Sequence, residues 1–358
     1  MPSRAQVTVA ASTAKLKKAV GEGVLGAEAF RMCPEESARI LHPLMCKAII
    51  NAEAPLQWKG SQLAALFKGK GQRAEKNNYR DVALGDPDAK LYGHILRRFL
   101  LRAVGAMAPD MQFGSGLGGG GCDLPHLAAQ AALQLAETRG CCVGWLFVDI
   151  STAFAAMVRE NILPTDAGRE HWLHFLTARG YPPEFASEVM SAVASACNWD
   201  SAGMSGHALA VLRDFHVNTW FSFDLLPDVV TTLRGCTAGN PVADFVYIAS
   251  DLVLARRLSQ TLAAEGLATT LPDHGASDFF GVHPSVREVQ LSRVAYVDDG
   301  VVPIVAPASE IDRKLSVVAS VVRSTYQHHG LDLNFSPGKS EAVVSFHGPG
   351  AKSARKRL

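Results

Sequence analysis

Apolar positions recur at helical spacing from Ser309 to His328, with Ile311, Leu315, Val318, Val322 and Tyr326 on one stripe. The pattern predicts an amphipathic helix, and Ser309 with Asp312 has the spacing of a capping box. Residues 30–50 and 88–107 also read as helices, the second with Ile95, Phe99 and Leu100 or Ala103 on its inner face. Asp123-Leu124-Pro125 opens a helix through about Thr138, with Asp as N-cap and Pro in the first turn. Short apolar runs predict strands: one ending at Asp149, a hairpin over Arg293–Val305, and a pair over Leu331–Phe335 and Ala342–Phe346 joined by Pro337-Gly338. Further helices are expected from Thr152 to Asn161 and from Gly239-Asn240-Pro241 to about Ala264. Residues 162–230 read as a helical insert and 266–290 as a loop. Trp58 to Gly85, rich in Lys, Arg, Gly and Asn, reads as basic loops and short strands. Strands on one sheet with helices behind them predict an α+β fold.

At 358 residues, 48% hydrophobic and 19% charged, the chain can bury a full core as one large domain or two lobes. Charge-free runs such as Ser201 to Leu212 reach only about a dozen residues, short of the ~20 that span a bilayer, so no membrane role is expected. The seven cysteines show no metal-ligand spacing and are read as reduced thiols of an intracellular protein. Arg4, Lys15, Lys17 and Lys18, with no acid before residue 22, read as a frayed basic arm rather than a transit peptide.

The net charge of +1 conceals a pattern. Residues 1–110 carry 17 basic and 10 acidic side chains, residues 111–300 carry 10 and 20, and residues 301–358 carry 8 and 4. A basic lobe, an acidic centre and a basic tail fit a phosphate-bearing partner held around metal-binding acids. Gly114 to Gly121 is a flexible glycine loop without the Gly-Lys-Ser/Thr of a P-loop.

The candidate chemistry lies in three carboxylates. Asp298 and Asp299 sit together at the turn of the apolar hairpin, and Asp149 ends the strand Leu146-Phe147-Val148. Adjacent acids repel, and a divalent cation removes that cost. Three carboxylates on strand ends are what two-metal phosphoryl transfer needs.

These residues carry a resemblance. Phe147-Val148-Asp149-Ile150-Ser151-Thr152-Ala153-Phe154 is similar to the first catalytic motif of reverse transcriptases. Arg234 to Asp244, with Gly239-Asn240-Pro241, resembles their Gly-x-x-x-Gly-Asp-Pro-Leu motif, and Ala295-Tyr296-Val297-Asp298-Asp299 matches Tyr-x-Asp-Asp. Gly330-Leu331-Asp332-Leu333-Asn334-Phe335 with Lys339 and Glu341 resembles the palm motif that follows. Leu66 to Lys70 and Asn78 to Val82 resemble the fingers motifs of non-LTR, LINE-type retrotransposon enzymes. The order is that of the family, over about residues 55–350.

The resemblance implies a right-hand polymerase fold with fingers over 55–145 and a palm over 146–350. It also implies an N-terminal helical extension over 1–54 and a basic tail over 351–358, with the thumb absent or truncated. It implies an RNA-directed DNA polymerase that adds dNTPs to a DNA primer on an RNA template, in the nucleus, with two Mg²⁺ ions or Mn²⁺ as cofactor. Asp149 and Asp298 would be the principal metal ligands and Asp299 an auxiliary one. Lys339 would be a general acid for the leaving pyrophosphate. Lys68 and Arg80 would contact the triphosphate, Gly239 would let the backbone approach the nucleotide, and Phe154 would be the aromatic gate that rejects a ribose 2′-OH. Tyr296 and Gln112 would touch primer or template. Departures from the family pattern at Ala155, Ala238 and Asn240, with the expected lack of a thumb, leave an alternative: a decayed or domesticated derivative that binds RNA without polymerising.

Overall fold

The structure, a computed structural model, describes residues 1–21, 25–108, 111–117, 121–159, 203–223, 226–237, 239–273 and 287–358, with isolated positions between 162 and 199. Helices and mixed sheets make an α+β protein. The chain divides into two units: Met1–Met107 with Met157–Ser250, and Ala108–Ala156 with Asp251–Leu358.

In the first unit a sheet of order β2-β1-β5-β6 is built from β1 (Gly60–Phe67), β2 (Tyr79–Leu84), β5 (Trp220–Phe223) and β6 (Val229–Thr231). β1 and β2, from the stretch read as basic loops and short strands, form an antiparallel hairpin paired from Gln62↔Leu84 to Phe67↔Tyr79. β5 runs parallel to β1, with Gly60 opposite Trp220. Residues 162–230 are therefore not a purely helical insert: the described part holds the helix Gly206–Asp214 and then two strands. Ala238 lies outside the described residues, as does most of the stretch from 160 to 202.

The N-terminal residues are not a frayed arm. Ser3 and Gln6 close a reciprocal capping box, so Arg4–Ser12 is a helix whose Val7, Ala10 and Ala11 are buried. It packs against the helices Pro34–Asn51 and Pro87–Met107. On Pro87–Met107 the buried stripe is Ile95, Leu96, Leu100, Ala103, Val104 and Met107, while Phe99 is turned outward and 46% exposed. Trp58 stacks on Tyr92 at 4.8 Å, and Tyr92 meets Phe215 edge-on at 5.3 Å.

A buried guanidinium organises the approach to Gly239. Arg159 donates to the carbonyls of Gly235 (2.6 Å), His216 (2.6 Å), Thr232 (3.1 Å) and Arg234 (3.2 Å), and to the hydroxyls of Thr219 and Thr232. Five fixed donors suit this crowd of carbonyls. Gly239 itself sits at φ +106°, and a Cβ there would lie 2.7 Å from the Ala83 carbonyl oxygen in β2. Gly239→Ala is expected to cost about 1–3 kcal/mol from this strain and clash. A thermal-unfolding midpoint equal to that of the unchanged chain would refute the assignment.

In the second unit the main sheet has the order β11-β4-β10-β9-β3. Its strands are β3 (Gln112–Phe113), β4 (Cys142–Val148), β9 (Val294–Tyr296), β10 (Asp299–Ala306) and β11 (Glu341–Ser345). β4 lies between β11 and β10 and is antiparallel to both. Alternation along β4 sends Gly144 towards Leu315 and Ile311 of the helix Ile311–His328. Trp145 and, on β10, Val301 pack on the other side with Phe113, Ala128 and Ala132, the last two from the helix Asp123–Thr138. The sheet is thus sandwiched between two helices, both placed by the sequence pattern. Their caps differ from expectation: Cys122 precedes the first without a side-chain cap, and Glu310 precedes the second likewise. Asp312 instead accepts from the Arg313 amide and pairs with Arg357 at 2.9 Å.

That pair draws the basic tail into a helix, Ala351–Arg357, with Ala354 buried. The expected loop over 266–290 contains a hairpin of β7 (Thr269–Asp273) and β8 (Arg287–Leu291), its middle lying outside the described residues. The helix expected over Thr152–Asn161 is a single turn, Ala153–Ala156, and Leu331–Phe335 contributes one bridge, Ile150↔Leu333, rather than a strand. Among the described residues no helix is long and apolar enough to cross a membrane.

Candidate catalytic site

β4 delivers Asp149 at its end. Pairing of Gly300 with Val148 and of Glu341 with Phe147, each continued by a step or two, sets Asp299 on one side of Asp149 and Lys339 on the other. The Asp149 amide donates to Ser340 Oγ (3.0 Å), and its carbonyl accepts from the Asn334 amide (2.9 Å). Its carboxylate is held on both oxygens: Lys339 Nζ reaches Oδ1 at 3.1 Å and Asn334 Nδ2 reaches Oδ2 at 3.0 Å. The segment after Gly330 is therefore anchored onto Asp149.

The hairpin turn falls one residue earlier than the sequence pattern indicates. Asp299 already belongs to β10 and pairs with Tyr296, leaving Val297 and Asp298 as the two turn residues. Val297 lies at φ +57°, a left-handed conformation that a β-branched side chain enters only with strain. The turn is fastened from β3: the Val297 amide donates to the Phe113 carbonyl (3.1 Å), and Gln112 Nε2 donates to the Val297 carbonyl (3.3 Å). Gln112 is 2% exposed, so its side chain holds the turn from beneath and is not displayed to an approaching strand.

Burial raises the Asp298 carboxyl above the usual range, and the charges of Asp299, Asp149 and Asp251 raise it further. Three of the four acids in this cluster are the candidate residues. Phe147, Asp149, Asp299, Gly300, Gly338, Lys339 and Glu341 line one open cleft. Phe154 is half-buried in the short turn five residues after Asp149. Lys68, Arg80 and Gly239 belong to the first unit, where Lys68 and Arg80 are exposed on the β1–β2 hairpin.

Hard carboxylate oxygens are the donor type a divalent magnesium ion takes. Among the described residues no group of three or more His, Cys, Asp and Glu side chains stands ready-arranged around a metal position. In this conformation Lys339 supplies the positive charge at Asp149. The donor chemistry fits the cation, provided the Lys339 ammonium gives way.

Sequence reasoning missed a buried ion pair behind the hairpin. Arg293 Nη1 meets Asp251 Oδ1 at 2.6 Å, with side chains 4% and 1% exposed. No local pattern links two residues 42 positions apart; the one available signal was a charge at the start of an apolar strand.

No family model matches the chain. A stretch of 150 residues is 27% identical to the RNA-directed DNA polymerase from the mobile element jockey of Drosophila melanogaster, covering 41% of this chain. The chain spans 16% of the length of that protein. The similarity is a partial, distant relationship to an RNA-directed DNA polymerase of a mobile element.

Proposed function

We propose that this chain is the reverse transcriptase domain of a LINE-type element, with fingers and palm of a right-hand polymerase, adding dNTPs to a primer 3′ end on an RNA template. The observation that carries the reading is the convergence of Asp149, Asp298, Asp299 and Lys339 at one edge of the β11-β4-β10-β9 sheet. The partial similarity to the jockey polymerase supports it.

Asp149 and Asp298, with Asp299 auxiliary, would hold two Mg²⁺ ions, or Mn²⁺. When bound, these ions lower the pKa of the primer hydroxyl and neutralise the triphosphate. Lys339 leaves Asp149 and protonates the departing pyrophosphate. Lys68 and Arg80 grip the triphosphate, Arg80 through its forked donors. Gly239 keeps the backbone clear beside the nucleotide, Tyr296 faces the primer, and Gln112 acts on primer placement through the turn it fastens.

Phe154 closes the sugar pocket. Phe154→Val is expected to admit ribonucleotides, raising UTP use relative to dTTP by about 10-fold or more, the scale of about 1–3 kcal/mol for a small pocket change. Unchanged dTTP selection in a primer-extension assay would remove Phe154 from this role.

One observation favours a second reading. Both oxygens of Asp149 are engaged by Lys339 and Asn334, as suits a decayed module that binds RNA without synthesis. Primer extension on poly(rA)/oligo(dT) with Mg²⁺ and dTTP separates the two: template-dependent extension supports the polymerase, and RNA binding without extension supports the decayed module.

A further inference from the structure

Asp251 and Arg293 are a costly way to fill a core. Removing two charges from water is expensive, and an apolar pair of the same volume is often as stable or better. Burial pushes the Asp251 carboxyl upward, and the charge and hydrogen bond of Arg293, with the charge of His329, pull against it. Asp251 Oδ2 has no hydrogen-bond partner among the described residues. Packing alone does not account for the pair.

Its position does. Arg293 immediately precedes β9, and its guanidinium lies over the ring of Tyr326 at 5.9 Å. On the hairpin's other strand a Cβ at Gly300 would stand 2.8 Å from Arg293 Nε. The guanidinium therefore occupies the side-chain space of the residue next to Asp299, and Asp251 fixes it there. The Asp251 charge is also felt at Asp298. A rigid planar fork clamped by a buried acid suits the holding of a strained two-residue turn.

We propose that Arg293 and Asp251 are positioning residues that hold the turn carrying Asp298 and Asp299, from which those carboxylates would ligate a cation. This rests on the reading of those carboxylates as cation ligands. Outer partners that orient metal ligands typically change metal affinity by about 10–100-fold when replaced.

The test is Mn²⁺ binding to the full chain, followed by the loss of free Mn²⁺ signal in electron paramagnetic resonance, beside thermal unfolding without metal. The apolar replacement Asp251→Leu with Arg293→Met is expected to unfold at the original temperature or higher, yet to bind Mn²⁺ about 10-fold or more weakly. Gly300→Ala, which crowds the guanidinium while leaving every acid and Arg293 itself in the chain, is expected to weaken Mn²⁺ similarly, and it decides the matter if the apolar variant does not fold. Undiminished Mn²⁺ affinity in a folded variant overturns the proposal while leaving the carboxylate reading intact. An unchanged chain that binds no Mn²⁺ overturns both.

Discussion

Asp298→Ala is expected to lower DNA synthesis by about 10³-fold or more while leaving RNA binding equal or tighter. Asp298 is half-buried, and Asp299 and Asp149 both press on its charge. In the proposed reading a cation would offset the burial and the repulsion that raise the Asp298 pKa. A catalytic metal supplies several kcal/mol of charge stabilisation, and about 4 kcal/mol is a factor of about 10³ in rate. In the proposed reading Asp298→Ala removes a negative charge from near a phosphate backbone, and nucleic-acid affinity, which rests on basic contacts, would not fall. Filter binding of RNA and primer extension, measured on the same preparation, check the two halves. Parallel loss of both would indicate a folding defect and not a lost ligand. Because protons would compete with the proposed cation for the raised Asp298 carboxyl, apparent Mn²⁺ affinity is expected to weaken as pH falls, which titration at several pH values checks.

Asp251→Ala alone is expected to destabilise the chain by about 3–5 kcal/mol, among the largest effects of any single substitution here. It leaves the Arg293 guanidinium, 4% exposed, without its counter-charge. The apolar double replacement removes both charges and avoids this penalty, so the two variants are expected to differ by several kcal/mol in opposite senses. Denaturant unfolding checks this. A loss below about 1 kcal/mol in Asp251→Ala would mean that water reaches the pair, as at a surface salt bridge.

The legible part of the fold was the part written in local periodicity. The stripe from Ile311 to Tyr326 and the apolar runs into Asp149 and Asp298 produce the helix, β4 and the β9–β10 hairpin. The order of the acidic motifs placed the candidate site on strand ends, and the ladder brings Lys339 to Asp149. What stayed hidden depends on distant partners. β5 is a strand because β1 accepts it in parallel across about 160 residues, which no window along the sequence reveals. Arg159, Arg293 and Asp251 are single residues whose roles come from burial beside particular carbonyls or each other. The Arg4–Ser12 helix was readable after all: Ser3-Arg4-Ala5-Gln6 is a capping box that the basic residues nearby disguised as an arm. Gln112 shows the reverse case, since its place in the motif order suggested contact with nucleic acid while its burial makes it a brace for the turn.

The most direct measurement is extension of oligo(dT) on poly(rA) with dTTP and Mg²⁺ by the unchanged chain and by Asp298→Ala side by side. The account predicts extension by the first, abolished by chelating the metal, and none by the second at equal RNA occupancy. Equal extension by both would contradict the assignment of the Asp149, Asp298 and Asp299 cluster as the catalytic centre.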